Sequence, residues 1–187
     1  MDVIDTPRLR LRPFKEEDLW DFYEYCVDPE VGPNAGWRAH ADIEESKQRL
    51  AFYIAQQDAQ ELVWAIEHKD SGRMIGSLGL HVDARRQGVP DVRSMGYVMN
   101  RAFWGQGLMP EAVNAAMDHA FVHMGLKLLS VVHFSFNHRS RRVIEKCGFR
   151  YEGTMRMAGI RYDSAIVDNV CYSLTRDEYF ELERLKK

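Results

Sequence analysis

The stretch Tyr97-Val-Met-Asn-Arg-Ala-Phe-Trp-Gly-Gln-Gly-Leu-Met-Pro-Glu-Ala112, with the run that follows it to Phe121, decides the fold. It reads as an apolar strand ending in a glycine turn that opens a helix. Val113, Ala116, Met117, Ala120, Phe121 and Met124 recur at three- and four-residue intervals, which is one face of an α-helix. Pro110 and Glu111 suit a first helical turn, where a missing N–H costs nothing and negative charge is favoured. Gly105 and Gly107 carry no Cβ. The backbone from Trp104 through Gly105, Gln106, Gly107 and Leu108 to Met109 can therefore curl until several amide N–H groups converge beside the positive helix end. Such a turn is either a cradle for an anion, above all phosphate, or a plain strand-to-helix connection.

Working outward, Gly125 stops this helix and Leu128-Leu-Ser-Val-Val-His-Phe134 is a strand. A helical crossover makes that strand a parallel neighbour of Val92–Met99. Next comes Asn137-His-Arg-Ser140-Arg-Arg-Val143-Ile-Glu-Lys146-Cys-Gly148-Phe149, a polar turn, a short helix and a Gly-Phe stop. Gly153–Met157 and Ile166–Leu174 read as further strands, and Thr175-Arg-Asp-Glu178 as a capping box opening a terminal helix.

Upstream, Arg8-Leu-Arg-Leu-Arg12 alternates between Pro7 and Pro13. It is an edge-type strand with Leu9 and Leu11 inward and its arginines toward water or acidic neighbours. Glu16–Val27 is an acid-started amphipathic helix with Leu19, Phe22, Tyr23 and Cys26 inward. Val31–Trp37 is a loop, either a surface link or the wall of a substrate pocket. Asp42–Gln57 is a second helix presenting Ile43, Leu50, Tyr53 and Ile54. Leu62–Ile66 and Met74–Leu80 form an antiparallel hairpin through Lys69-Asp-Ser-Gly72, and Ala84–Asp91 is a loop. Gly76 and Gly79 weaken an ordinary strand, so they point to close approach of another backbone or a bend. The expectation is one α/β domain over residues 1–187, its mixed sheet mostly antiparallel with one parallel strand-helix-strand unit and helices on both faces.

An apolar fraction of 45% in 187 residues is enough for a real core. A net charge of −3 with both signs interspersed argues against a dedicated nucleic-acid surface or a polybasic membrane anchor. Without a basic, apolar leader or a spanning apolar run, the chain is expected to be cytoplasmic. Cys26, Cys147 and Cys171 fit no metal spacing and suit buried thiols in a reducing compartment. His119 and His123 stand four apart on a helix, but no glutamate follows His119 and no third ligand is evident, so no metal is expected.

The glycine turn and the Asn137–Phe149 segment together resemble the GNAT superfamily of acyl-CoA-dependent N-acetyltransferases. Gly-Gln-Gly-Leu-Met-x-Glu-Ala, Asn-x-x-Ser-x-x-Val-x-x-Lys-x-Gly-Phe and the opening Thr6-Pro-Arg-Leu-Arg-Leu-Arg-Pro13 are most similar to its RimJ/RimL type, which acetylates protein N-terminal amines. The resemblance implies acetyl-CoA as co-substrate and a ribosomal or other protein N-terminus as acceptor, in a monomer or homodimer. It implies that the two parallel strands splay, that Val98 and Met99 bond a pantetheine arm lying in the opening, and that residues 104–109 bind phosphate. It also implies that Ser140 is the proton donor to the departing thiolate, while Asn137 caps its helix, bonds pantetheine, or does both through different atoms. The family pattern departs at Trp104 and Met109, which replace Gln/Arg and a small residue. The tyrosine that many members carry one turn after Ser140 is here Ile144.

Acetyl transfer to an amine needs a free lone pair, a polarised thioester and a proton for the thiolate. An α-amino group with pKa about 8 is roughly one-tenth neutral at pH 7, a lysine far less, so N-terminal acceptors need only a weak base. Where some relatives carry a glutamate this chain has Asn100-Arg101, which leaves the base unassigned. His133 and His81 are candidates by pKa, each with the alternative of an ordinary strand histidine. Ser140 has the alternative of a first-turn serine bonding backbone. The cluster His138–Arg142 either neutralises coenzyme phosphates or forms a solvated face. Trp37, Tyr151 and Tyr162 line an acceptor pocket or belong to the core. The competing functions are acetylation of a small amine (polyamine, amino sugar, antibiotic) and a non-catalytic acyl-CoA-binding module.

Overall fold

The computed structural model describes residues 1–56 and 62–185. Its eight strands are β1 (Ile4–Asp5), β2 (Leu9–Arg12), β3 (Leu62–His68), β4 (Arg73–Val82), β5 (Val92–Met99), β6 (Leu128–Phe134), β7 (Arg150–Ile160) and β8 (Ile166–Thr175). They form one sheet in the order β1-β2-β3-β4-β5-β6-β8-β7. Every neighbouring pair is antiparallel except β5 and β6, the pair joined by the long helical crossover. The α-helices are α1 (Leu19–Cys26), α2 (Gly32–Ala35), α3 (Ile43–Ala55), α4 (Leu108–Asp118), α5 (His138–Lys146) and α6 (Arg176–Leu185).

Strand alternation sends side chains to two cores. The larger joins Leu9, Trp64, Ile66, Leu78, Met95 and Leu129 to Val113 and Ala116 of α4, Ile144 of α5 and Tyr179 of α6. The smaller, on the other face, joins Ala65 and Met74 to Phe14, Phe22, Tyr25, Cys26 and Leu50, under α1 and α3. The sheet thus carries helices on both faces, as its sequence pattern requires.

Several boundaries move. The central helix begins at Leu108, not Pro110: Gly107 caps it in the left-handed region at φ +76° and Pro110 sits third in the first turn. Its α-helical part ends at Asp118, and His119–His123 follow as a π turn closed by the Met124 N–H on the His119 carbonyl. The loop expected at Val31–Trp37 contains the short α2, and Ala84–Arg86 form a 3-10 turn. Strand β7 starts at Arg150 rather than Gly153. Tyr25, not anticipated inside, is buried. Gln57, the expected end of the second helix, lies outside the described residues.

The arginines of β2 take acidic partners, but Arg12 does so in the interior. Its guanidinium bonds Asp18 at 2.6 and 2.8 Å and Glu67 at 2.6 Å, holding α1 against the sheet. The capping box of α6 forms, with Thr175 N–H on Glu178 Oε2 at 2.9 Å and Glu178 N–H on Thr175 Oγ1 at 3.3 Å.

Candidate active site

The parallel pairing of β5 with β6 runs from Val92↔Leu128 to Met95↔Val131 and stops. Beyond it β5 stays with β4 as far as Met99, while β6 stays with β8 as far as Phe134. The two central strands therefore part, and the gap opens into a cavity of about 1060 Å³ reaching both faces of the sheet.

At one end of this cavity the chain turns into α4. Gly105 and Gly107 have φ of +77° and +76°, backbone that an L side chain adopts only at a cost. Among the described residues no group accepts a hydrogen bond from the N–H of Gly105, Gln106, Gly107, Leu108 or Met109. Five donors beside a helix N-terminus make a site for an anion. Leu108 and Met109 point their side chains into the core and offer only their main chain.

The turn is braced by Arg8, one of the arginines expected to face water or acidic neighbours. Arg8 donates from Nε to Glu111 Oε2 at 2.7 Å and from Nη1 to the Gln106 carbonyl at 3.0 Å. Glu111 also accepts from the Arg8 N–H at 2.9 Å and from Thr6 Oγ1 at 2.6 Å. Burial raises the Glu111 pKa, but the bonds from Thr6 and Arg8 outweigh it and hold the carboxyl below its ordinary value. The opening Thr-Pro-Arg segment thus clamps the start of α4 from across the sheet. No local pattern reveals this, because the partners lie about a hundred residues apart.

Along the opening, strand alternation decides which main-chain groups are free. The Asn100 N–H bonds the Ile75 carbonyl of β4 at 2.7 Å, and the Val98 carbonyl lies 2.3 Å from where a Cβ on Gly76 would stand. Residues 98 and 100 therefore face β4, and Tyr97 and Met99 face the gap. The expected pair shifts by one residue: Val98 gives the cavity its side chain, not its backbone. The Met99 carbonyl already accepts the Trp104 indole N–H at 2.8 Å.

On the other bank Asn137 caps α5, its Oδ1 accepting the Ser140 N–H at 3.1 Å. Its Nδ2 donates to the Asn34 carbonyl of α2 at 2.9 Å and so ties the Val31–Trp37 segment to the site. Ser140 faces the cavity, and a tyrosine hydroxyl meets it from an unforeseen direction. Tyr97, on β5, brings its hydroxyl to 3.0 Å from Ser140 Oγ and 3.2 Å from the Ser140 carbonyl. Burial pushes the Tyr97 pKa up, only partly offset by the Ser140 bond, so the phenol stays protonated.

The cationic cluster divides. Arg139, Arg142 and Lys146 line the cavity on one face of α5, with the Arg139 guanidinium 4.8 Å from the Trp104 ring centre, while Arg141 turns away to Glu145 at 2.8 Å. Trp37 is in the cavity wall, but Tyr151 and Tyr162 are exposed and outside it. Asn100 caps the turn after β5 through the Ala102 N–H at 3.0 Å, and Arg101 pairs with Asp28 at 2.8 Å. His133 is buried at the cavity wall, its Nδ1 within 2.8 Å of the Phe134 carbonyl, and burial lowers its pKa. His119 and His123 each lie 3.9 Å from a carboxylate, of Asp2 and Asp118.

The profile of the acetyltransferase (GNAT) domain matches residues 8–150. The chain belongs to the GNAT family. It is 26% identical over 169 residues to the uncharacterized N-acetyltransferase YoaA of Bacillus subtilis (strain 168), covering 88% of this chain and 94% of that protein. Among solved structures it resembles the ribosomal-protein-S5-alanine acetyltransferase from Vibrio fischeri, with TM-score 0.78, 21% identity, and coverage of 96% of this chain and 99% of that one. It also resembles the microcin C7 self-immunity acetyltransferase MccE, solved with acetyl-CoA and AMP, with TM-score 0.76, 18% identity, and coverage of 91% and 93%. The protein is a GNAT N-acetyltransferase, and the five amides of residues 105–109, the flanking cations and the open strand edge fit the acetyl-CoA this fold uses.

Proposed function

We propose that this GNAT enzyme transfers acetyl from acetyl-CoA to the α-amine of a protein N-terminus by direct attack, as its RimJ/RimL-like motifs imply. Bound acetyl-CoA supplies an acyl carbon activated as a thioester. The amides of residues 105–109 and the cations Arg139, Arg142 and Lys146 hold its phosphates, while the main chain of Tyr97 and Met99 lies along its arm. Ser140 delivers the proton that the departing sulfur needs.

The observation that carries the reading is the joining of an amide cradle, a parted parallel pair and the Tyr97–Ser140 hydroxyls in one cavity. The polypeptide acceptor is supported by the ground beside the cavity. A Cβ on Gly159 of β7 would lie 2.9 Å from the ring of Phe134 in the cavity wall, so the β7–β8 hairpin abuts the site. That hairpin exposes Met157, Ile160 and Ile166, an apolar shelf along which an extended chain can lie. The buried thiols Cys26, Cys147 and Cys171 accord with a cytoplasmic location.

The test is thiol release from acetyl-CoA with peptides beginning Ala or Ser, compared with polyamines and aminoglycosides. Turnover of peptides supports the reading. Turnover of small amines alone moves the enzyme to the small-amine class, and tight coenzyme binding with no turnover of any amine sinks catalysis altogether.

A further inference from the structure

Gly79 of β4 and Gly96 of β5 stand directly opposite each other in neighbouring strands. A glycine in a strand weakens it, and two in register do so twice, which calls for a reason at this place. The reason is the imidazole of His81. Its Nε2 lies 2.5 Å from where a Cβ on Gly79 would be and 3.7 Å from where one on Gly96 would be, closer to both than any other ring atom. The ring lies over the glycine pair on the face of the smaller core, next to Val63, and it lines the cavity. Gly96 follows Met95, the last residue paired with β6, so Nε2 sits beside the point where the sheet opens. One residue on, Tyr97 reaches the opposite face to meet Ser140. The opening therefore has a nitrogen base on one side and a hydroxyl donor on the other. His133 holds a different place: it is buried on the opposite face of the sheet, in alternation with Leu129 and Val131 of the larger core, with its Nδ1 2.8 Å from the Phe134 carbonyl.

We infer that His81 is the catalytic residue that takes the proton from the attacking amine, an inference that rests on the acetyl-transfer reading above. The N–C bond forms and the C–S bond breaks. The amine proton passes to His81 Nε2 and on to water, and the sulfur takes a proton from the Ser140 hydroxyl, which water replenishes. Among the described residues, the other titratable side chains of this part of the wall are Arg85, after β4, and Tyr53, from α3.

The experiment compares wild type, His81→Gln and Gly79→Ala by thiol release from about pH 5.5 to 9, using the amine or peptide that turns over fastest. His81→Gln is expected to lose about 100-fold or more in kcat with the KM for acetyl-CoA unchanged. Its rate should also lose the pH inflection of the base and climb instead with the ionisation of the amine. Gly79→Ala drives a methyl group into the space of the ring and is expected to show the same kcat loss while melting as a folded protein and binding coenzyme. Imidazole added to His81→Ala should restore part of the rate. A His81→Gln enzyme within about threefold of wild type, with its inflection intact, overturns the base while leaving acetyl transfer standing. A wild type that binds coenzyme and acetylates nothing overturns the transfer reading, and the base with it.

Discussion

Replacing Tyr97 by Phe removes one oxygen from a buried site and leaves the ring packing in place. The oxygen makes two contacts, 3.0 Å to Ser140 Oγ and 3.2 Å to the Ser140 carbonyl. Because burial raises its pKa, the phenol is a donor throughout the working pH range. If Tyr97 holds Ser140 in position, its loss costs the free energy of one neutral hydrogen bond, about 1 kcal/mol. That figure corresponds to about fivefold in kcat, with no change in coenzyme affinity. Ser140→Ala removes the proton donor itself and should cost about 100-fold or more. The decisive assay is the double-mutant cycle on kcat, with coenzyme binding followed by calorimetry. On the Ser140→Ala background Tyr97→Phe should cost almost nothing, since the hydroxyl it positioned is gone. A full fivefold loss on that background would refute the positioning argument and make Tyr97 a donor in its own right. An equal loss of rate and coenzyme affinity in Ser140→Ala would make the serine structural.

Three further outcomes follow from the same geometry. Gly76→Ala puts a Cβ 2.3 Å from the Val98 carbonyl oxygen, so β4 and β5 must separate; a loss of about 1–3 kcal/mol is expected in urea unfolding. Gly107→Ala meets only ordinary contact, 3.7 Å to Arg8 Nη2, but strains a backbone at φ +76°. It should cost about 1–2 kcal/mol of backbone strain and, by displacing the turn's amides, weaken calorimetric coenzyme binding more than it lowers the melting temperature. Glu111 has a pKa below its ordinary value of 4.5, so its clamp stabilises the fold above pH 4.5 and is lost as pH falls through the depressed value. Glu111→Gln should flatten that acid limb in pH-dependent melts, and an unchanged limb would show the clamp to be energetically idle.

What the sequence reveals is what repeats locally. The boundaries of β5 and β6 are readable because both are short apolar runs closed by turn residues, and the parallel pairing follows from the helix between them. The start of α4 is less readable. Every N–H of the first turn lacks an intrahelical partner, so proline is tolerated at its third position as well as its first. Strand β7 lacks a periodic signal because most of it is exposed, leaving no apolar face to alternate. The cradle and Ser140 belong to motifs contiguous in sequence. Tyr97 against Ser140, Arg8 against Glu111 and Asn137 against Asn34 are pairs joined only by the fold, and no spacing rule reaches across them.

The glycines of β4 mark the boundary between the two kinds of information. In sequence Gly76 and Gly79 carry the same message, close approach of another backbone or a bend. At Gly76 the neighbour is the Val98 carbonyl, a backbone approach that fixes how tightly β4 holds β5 and therefore which edge of β5 is left for the cavity. At Gly79 it is the imidazole of His81, a group with chemistry of its own. A missing Cβ records that space was needed and is silent about the occupant. Of two identical residues three positions apart, one sets the geometry of the opening and the other admits a base to it, so changing each to alanine should separate stability from turnover.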